Sequence, residues 1–277
     1  MSCTDAASVG NVRFLEVLRS EGFEWDVYTC ATAAEFGQLE ALKWCKLNGC
    51  PWDEETCAYA AKSGHLHILE WARENGCPWD EDVCNVAASR GQLHIVQWYL
   101  THGCTWNTGV FLAAALNDHV DLMQWINDNG FEWRPFVELG CSLLARGGRV
   151  GALDFLMRHD TVLDEQVCFS AACHGRLEVI KWARQNGLPW DEDTCAGAAM
   201  SGDLDMLKWL RKNDCPWTAT TCYHAAKRGH LHILEWARKQ GCEWDDHTRS
   251  IAEMADTLRS NFWCTYLMQL FHTPITN

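Results

Sequence analysis

Between Asp53 and Trp79 the chain sets small apolar residues on one stretch and large ones on the next. Cys57, Ala60 and Ala61 come first; after Gly64 follow Leu66, Ile68, Leu69, Trp71 and Ala72, with charged or amide side chains between them. Both stretches have the three-and-four spacing of a helix with one apolar face. The pattern predicts a first helix N-capped by Asp53, with Glu54 and Glu55 in its first turn, Lys62 near its end and Gly64 as its break. A second helix is predicted from about Leu66 to Asn75, with Leu66, Leu69 and Ala72 on one face, Ile68 and Trp71 broadening it, and Gly76 making the terminal turn. Cys77-Pro78-Trp79 then carries the chain to the next acidic start, because proline cannot extend a helix.

This 27-residue pattern recurs along the whole chain. All 16 tryptophans fall into two of its registers: Trp44, Trp71, Trp98, Trp125, Trp182, Trp209, Trp236 and Trp263 on second helices, and Trp25, Trp52, Trp79, Trp106, Trp133, Trp190, Trp217 and Trp244 in the closing loops. A pair of short helices cannot cover its own apolar face, so each repeat must pack on its neighbours. The chain therefore reads as an all-α solenoid of about ten helix-turn-helix repeats forming one array. Their approximate bounds are 1–25, 26–52, 53–79, 80–106, 107–133, 134–163, 164–190, 191–217, 218–244 and a capping repeat at 245–277. The tryptophans read as framework filling the layers between repeats, with a cost of about 3–5 kcal/mol expected for truncating Trp71.

The departures from the period are as informative as the period. The repeat at 134–163 holds three extra residues, expected around Leu144-Ala-Arg-Gly-Gly148, and has Phe155 for the helical tryptophan, Asp160 for the glycine and Leu163 for the loop tryptophan. It reads as a tolerated surface insertion or as a bend that shapes a binding site. The first repeat begins almost inside its first helix, with Cys3, Ala6, Ala7 and Gly10 in register and a poorly capped outer face. At the other end Arg249 and Glu253 replace small residues, as suits a solvent-facing terminal repeat. Phe262, Trp263, Tyr266, Leu267, Leu270 and Phe271 then form an aromatic final helix that either folds back or docks a partner.

Charge narrows the partners. With a formal net charge of −14 and a pI near 5.2, neither nucleic acid nor an anionic membrane is an expected partner, since both call for clustered Lys and Arg. No signal peptide and no run of about 18 uncharged apolar residues is seen. Of the 16 cysteines, Cys3, Cys30, Cys57, Cys84, Cys141, Cys168, Cys195 and Cys222 share one register, and Cys50, Cys77, Cys104, Cys215 and Cys242 another. Equivalent positions on stacked helices lie roughly 8–10 Å apart, beyond the ~7 Å Cα separation a disulfide spans. Pairing between registers, as of Cys50 with Cys57, stays open; otherwise the thiols read as small buried hydrophobes of a reduced compartment. A cytoplasmic location is expected, or a nuclear one, or the host cytoplasm for a viral chain.

The segments Ala60-Ala61-Lys-Ser-Gly64-His65 through Gly76-Cys77, and Ala225-Ala226-Lys-Arg-Gly229-His230-Leu231, resemble the Ala-Ala-x-x-Gly-His core of the ankyrin repeat. The spacing of the two glycines agrees, and Cys77-Pro78-Trp79 stands where that repeat has Ala-Asp-Val. Two departures stand out: Glu55-Thr-Cys-Ala58 replaces the Thr-Pro-Leu-His opening, and six residues of the protruding hairpin are missing. The likeness covers nearly the whole chain. It implies a short-form ankyrin-like solenoid with truncated or absent β-hairpins, similar to arrays of giant viruses and protists.

The resemblance further implies a protein-binding scaffold without catalytic activity or cofactor, holding a protein partner in its concave face as a monomer. Partner-binding positions would be the pairs following Ala-Ala: Glu35-Phe36, Lys62-Ser63, Ser89-Arg90, Leu116-Asn117, Arg146, Cys173-His174, Met200-Ser201 and Lys227-Arg228. They vary from repeat to repeat while the framework does not. Tyr59, Phe169, Tyr223 and His224 are aromatic anchors beside them. Lys62, Arg90, Arg146, Lys227 and Arg228 would make a broken basic row, opposite an acidic one of Glu54, Glu55, Glu81, Asp82, Glu165, Glu192 and Asp193. That arrangement either complements helix dipoles or receives a partner of mixed charge.

Three rival functions are weighed against this. Zinc binding lacks paired Cys-x2-Cys spacing, and His65 and His67 are expected on different sides of a helix. A thiol enzyme would need Cys173 beside His174, yet neighbours on a helix diverge. The array could also be the substrate-targeting part of a ubiquitin-ligase adaptor, with the recruiting element elsewhere or in the aromatic C-terminal helix.

Overall fold

The computed structural model describes residues 2–80, 82–102, 105–134, 137–244 and 248. Expectations for Glu81, Cys104, Arg249, Glu253, Trp263 and the rest of the aromatic C-terminal segment lie outside these residues. The chain divides into two compact halves, Met1–Phe136 and Val137–Asn277. All regular structure in the described residues is helical. The N-terminal half holds α1 Cys3–Ser8, α2 Val12–Ser20, α3 Val27–Glu35, α4 Leu39–Leu47, α5 Glu54–Ser63, α6 Leu66–Glu74, α7 Asp82–Ser89, α8 Leu93–Thr101, α9 Gly109–Leu116 and α10 Val120–Asp128. The C-terminal half holds α11 Val137–Gly147, α12 Val150–Arg158, α13 Gln166–Cys173, α14 Leu177–Gln185, α15 Glu192–Ser201, α16 Leu204–Lys212, α17 Ala219–Arg228 and α18 Leu231–Lys239. Each repeat contributes one odd and one even helix.

Within each half the odd helices pack backbone-close on the odd helices of neighbouring repeats, and each also packs on its own even partner. Small side chains permit this: Cys57, Ala60 and Ala61 on α5 and Cys195, Ala198 and Ala199 on α15 are fully buried. Gly197 shows how close the approach is, since a Cβ there would lie 3.0 Å from that of Ala172 and 3.1 Å from the Phe169 carbonyl. The even helices supply bulk. Ile68, Leu69 and Ala72 on α6 are fully buried, while Leu66 and Trp71 are only half-buried.

Both helices of a repeat end in the same motif. Gly64 adopts φ 80° while the His65 N–H reaches back to the Ala60 carbonyl at 2.9 Å, and Gly76 adopts φ 76° while the Cys77 N–H reaches the Ala72 carbonyl at 2.9 Å. These 6→1 bonds satisfy carbonyls that a helix end otherwise leaves open. The even helices add a side-chain seal, in which Asn48, Asn75, Asn129, Asn186 and Asn213 each donate to the carbonyl of the tryptophan four residues back, at 2.8–2.9 Å. Helix starts differ from expectation. Asp53 takes the N-cap position with extended backbone but caps no N–H with its side chain. The cap is held by its backbone instead, because the loop thiol of Cys77 donates to the Asp53 carbonyl at 3.3 Å. Cys50, Cys215 and Cys242 do the same to Asp26, Asp191 and Thr218. In the first repeat α1 is capped by a reciprocal pair: the Asp5 N–H donates to Ser2 Oγ, and the Ser2 N–H to the Asp5 carboxylate.

The fourteen described cysteines are free thiols. Inter-register contact exists, but at a separation of twenty residues, as of Cys57 with Cys77 and Cys195 with Cys215, instead of Cys50 with Cys57. Burial pushes the Cys141 thiol up to about 11 and Cys168 up to about 12, which keeps them protonated and unreactive.

The three extra residues of the irregular stretch lie elsewhere than expected. Cys141 precedes the left-handed Gly148 (φ 77°) by the interval that separates Cys57 from Gly64, so the extra residues do not lie at 144–148. They lie between Trp133 and Cys141, where α11 begins and where the two halves divide. Phe155 does replace the helical tryptophan, and Asp160 takes the left-handed conformation of the missing glycine at φ 61°, one that aspartate tolerates better than most side chains. In the preceding repeat Phe111 occupies the small-residue register and stacks on Trp133 at 4.9 Å between centroids.

Trp133, 3% exposed, is buried by that stacking. The other described tryptophans are half-buried. Loop and helical rings of successive repeats do meet edge to face, with centroids 5.7 Å apart for Trp25–Trp44, 5.8 Å for Trp52–Trp71 and 5.7 Å for Trp79–Trp98. They are inter-repeat framework, as expected, but each presents a ring surface to solvent.

Candidate interaction face

The residues after each Ala-Ala pair sit in the last turn of an odd helix, just ahead of the left-handed residue. Since Ala60-Ala61 and their equivalents point into the core, helical periodicity turns the next positions outward. Accordingly Phe36, Arg90, Asn117, Arg146, His174, Lys227 and Arg228 are exposed, and Glu35, Tyr59, Lys62, Ser63, Ser89, Leu116, Phe169, Met200, Tyr223 and His224 are half-buried. Phe36 keeps 56% of its surface in solvent.

In the N-terminal half the structure brings Glu35, Tyr59 and Lys62 together. Lys62 Nζ lies 3.0 Å from a Glu35 carboxylate oxygen on the preceding repeat and 5.0 Å from the centre of the Tyr59 ring. Part of the expected basic row is thus neutralised by a neighbour. Ser89 is turned inward, its hydroxyl donating to the Val86 carbonyl at 2.8 Å, and Asn117 donates to the Ala113 carbonyl at 2.9 Å. Neither is brought to Lys62.

In the C-terminal half Arg146 Nε donates to His174 Nε2 at 3.1 Å. That nitrogen must therefore accept, and Nδ1 carries the proton that it donates to the Ser170 carbonyl at 3.0 Å. Both ring nitrogens are committed, and neither to Cys173, whose thiol burial pushes up. Farther along, Tyr223 and His224 meet edge to face at 5.0 Å, and Lys227 Nζ lies 5.6 Å from the Tyr223 ring. Burial lowers the His224 pKa, Lys227 and Arg228 lower it further, and Asp193 opposes them. Beside this rim, Cys173, His174, Ser201, Asp203, Asp205 and His232 help line a cleft of about 650 Å³. It offers imidazole and carboxylate groups to a partner of either charge.

The sequence reading missed how the repeats are laced along this face. The residue after the left-handed position, a glycine or, before His119, Asp118, reaches back thirty positions to the rim of the preceding repeat: His65 Nε2 to the Glu35 carbonyl at 3.1 Å, His119 to Ser89 at 3.0 Å, Arg176 Nε to Arg146 at 2.9 Å and His230 to Met200 at 3.3 Å. Its ring or amide also lies over the preceding glycine, so a Cβ on Gly37 would be 2.9 Å from His65 and one on Gly202 2.7 Å from His230. His65 and His67, expected to diverge, have ring centroids 5.9 Å apart, because His65 is the N-cap residue and not part of the helix. The recurrent polar residue after each glycine was the available signal. Among the described residues no group of three or more His, Cys, Asp or Glu is placed to hold a metal, and no helix is long and apolar enough to cross a membrane.

Residues 197–238 match the family model described as ankyrin repeats in many copies. That stretch is similar to ankyrin repeats, a class of repeat that generally mediates protein–protein contact, and the helix pair it contains recurs through the described residues. The crystal structure of the human ASB11 ankyrin repeat domain is similar over 59% of this chain and 85% of that one, at 16% identity and a TM-score of 0.47. The pentatricopeptide repeat protein PPR10 in complex with an 18-nt psaJ RNA element is similar over 98% of this chain and 48% of its own, at 10% identity and a TM-score of 0.44. PPR10 from maize covers 91% of this chain and 46% of its own, at 15% identity and a TM-score of 0.38. No curated protein sequence matches the chain.

Proposed function

We propose that this protein is a monomeric, non-catalytic scaffold that holds a protein partner on the face carrying the ends of the odd helices. One observation carries the reading: the residues after Ala-Ala change in every repeat although the positions around them do not, and all the described ones are open to solvent in full or in part. A core that dictated them would not let Glu35, Lys62, Ser89, Leu116 and Met200 share one register. Glu35 and Lys62 in the N-terminal half, and Arg146, His174, Lys227 and the carboxylates of Asp203 and Asp205 in the C-terminal half, each mix both signs, which suits a partner bearing charges of both signs. Electrostatic complementarity of this kind sets specificity and association rate more than affinity.

The test is affinity purification followed by mass spectrometry with the wild-type chain and with a Lys62→Glu, Arg90→Glu, Lys227→Glu triple variant of unchanged helical circular dichroism. Loss of specific partners is the expected result. An identical partner set from the two proteins would sink this reading.

A further inference from the structure

The even helices and closing loops build a second surface, lined by residues other than those of the rim above and touching it only through the Lys208–Asp205 pair. Lys181, Arg184, Trp190 and Trp209 line a cleft of about 440 Å³, and Lys208, Arg211, Trp217 and Trp236 line one of about 290 Å³. Each lining residue of the second is the first shifted by one repeat. Arg184 and Arg211 stack 4.4 Å over the centres of Trp190 and Trp217, and each donates to a loop carbonyl, of Leu188 and of Cys215. One of five guanidinium donors is used in that bond, and the group is already fixed in place. Lys181 and Lys208 pair with Glu178 and Asp205, acids whose side chains are 78% and 93% exposed, so the pairs are weak and displaceable. No carboxylate lines either cleft. On a chain of net charge −14 these are local basic, aromatic slots.

The spacing selects the occupant. Packed helices recur every ~8–10 Å, so equivalent slots on successive repeats recur at about that interval. A polyproline II segment has three residues per turn and a rise of about 3.1 Å, returning the same face every ~9 Å. A β-strand returns it every ~7 Å and an α-helix every ~5.4 Å, which miss the period. Proline rings suit exposed indole surfaces, and an acidic side chain at every third position suits the cations. We infer that the clefts at Trp190–Trp209 and Trp217–Trp236 bind a proline-rich, acidic segment of a protein partner in polyproline II conformation, one carboxylate per repeat. The same cation-on-tryptophan arrangement occurs at Arg19–Trp25, Lys46–Trp52 and Arg73–Trp79 in the N-terminal half. It is broken where Leu100, Asn127 and Met157 occupy the cation position.

Fluorescence anisotropy with a labelled peptide of four Glu-Pro-Pro triplets tests this on the full chain. Binding weakened by salt is expected, with a loss of at least tenfold in Lys181→Glu, Lys208→Glu, Lys212→Glu, whose side chains hold no loop carbonyl. Circular dichroism confirms that this variant keeps its helices, and Lys227→Glu on the other face should bind as the wild type does. Equal affinity for Lys-Pro-Pro or Glu-Gly-Gly triplets, tighter binding of a short oligouridylate, no binding of the acidic peptide, or full affinity in the triple variant would each overturn the proposal. Because the rim residues are untouched, failure here leaves the proposed scaffold reading to its own test.

Discussion

Ala60 and Ala61 on α5 belong to the same repeat as Leu69 and Trp71 on α6, yet the two helices meet their neighbours by different means. At most of their contact positions the odd helices close the distance with alanine and cysteine side chains, and they pack backbone-close, Phe111 being an exception. The even helices fill the wider space with Ile, Leu and half-buried indoles. The odd layer therefore has no room to vary except at its last turn, where the chain leaves the core. The even layer keeps its tryptophan in most repeats, with Phe155 as one exception, and leaves ring faces and most of the paired cations in contact with solvent. Variation marks one candidate surface and constancy the other.

Exchanging bulk between the layers should break this contrast most. Leu69→Ala, at a fully buried site, is expected to cost about 2–5 kcal/mol, read as a lower urea midpoint. Ala198→Leu in the odd layer should cost about 1–3 kcal/mol by overpacking, whereas the same addition at an exposed even-helix position such as Lys208→Leu should leave the midpoint nearly unchanged. Trp71→Ala should cost about 1–3 kcal/mol, less than burial in a dry core would give, because its ring is half in water. A cost equal to that of Leu69→Ala would mean that the indole layer is core after all.

Glycine substitutions sharpen the contrast on a smaller scale. Gly76→Ala has an open surrounding and a φ of 76°, so only the left-handed backbone is penalised, by about 1–2 kcal/mol. Gly202→Ala carries that penalty and also meets His230. It should be the more destabilising of the two, and His230→Ala should recover the difference in a double-mutant cycle. The weakest effect concerns pH. His224 has a folded pKa below its unfolded one because it is partly buried beside cations. The unfolded chain then takes up the proton first, so stability falls as pH drops below about 6.5. His224→Gln should flatten that part of a urea-midpoint profile, and an unaltered slope would remove His224 from the account.

The sequence carried the helix pairs because the tryptophan and glycine registers are both periodic and physically explicit. It carried the rim because Ala-Ala fixes which helical positions face inward. What it left out depends on contacts across thirty residues. Nothing local to Gly37 says that His65 will lie over it, and nothing local to Cys77 says that its thiol will find the Asp53 carbonyl. Gly147-Gly148 has the composition of a loop and so draws the expected insertion to itself, although the Cys141 register shows that the stretch up to Gly148 is regular. The basic, aromatic clefts are not legible in the sequence, because recurrence marks framework and repeated surface alike.

The bond by which His65, His119, Arg176 and His230 each reach the repeat before their own bears on how such a chain can lengthen or shorten. Several junctions present the same socket, a left-handed glycine and an open carbonyl, to the same kind of plug, a histidine, glutamine or arginine, whereas Asp203 after Gly202 caps its own helix instead. Excising one whole repeat, such as 191–217, would bring His230 over Gly175 with matching chemistry on both sides, while excising a fraction of one would leave a plug without its socket. The unit of inheritance in this fold is thus the 27-residue interval itself, and it can be cut and rejoined wherever the phase is kept.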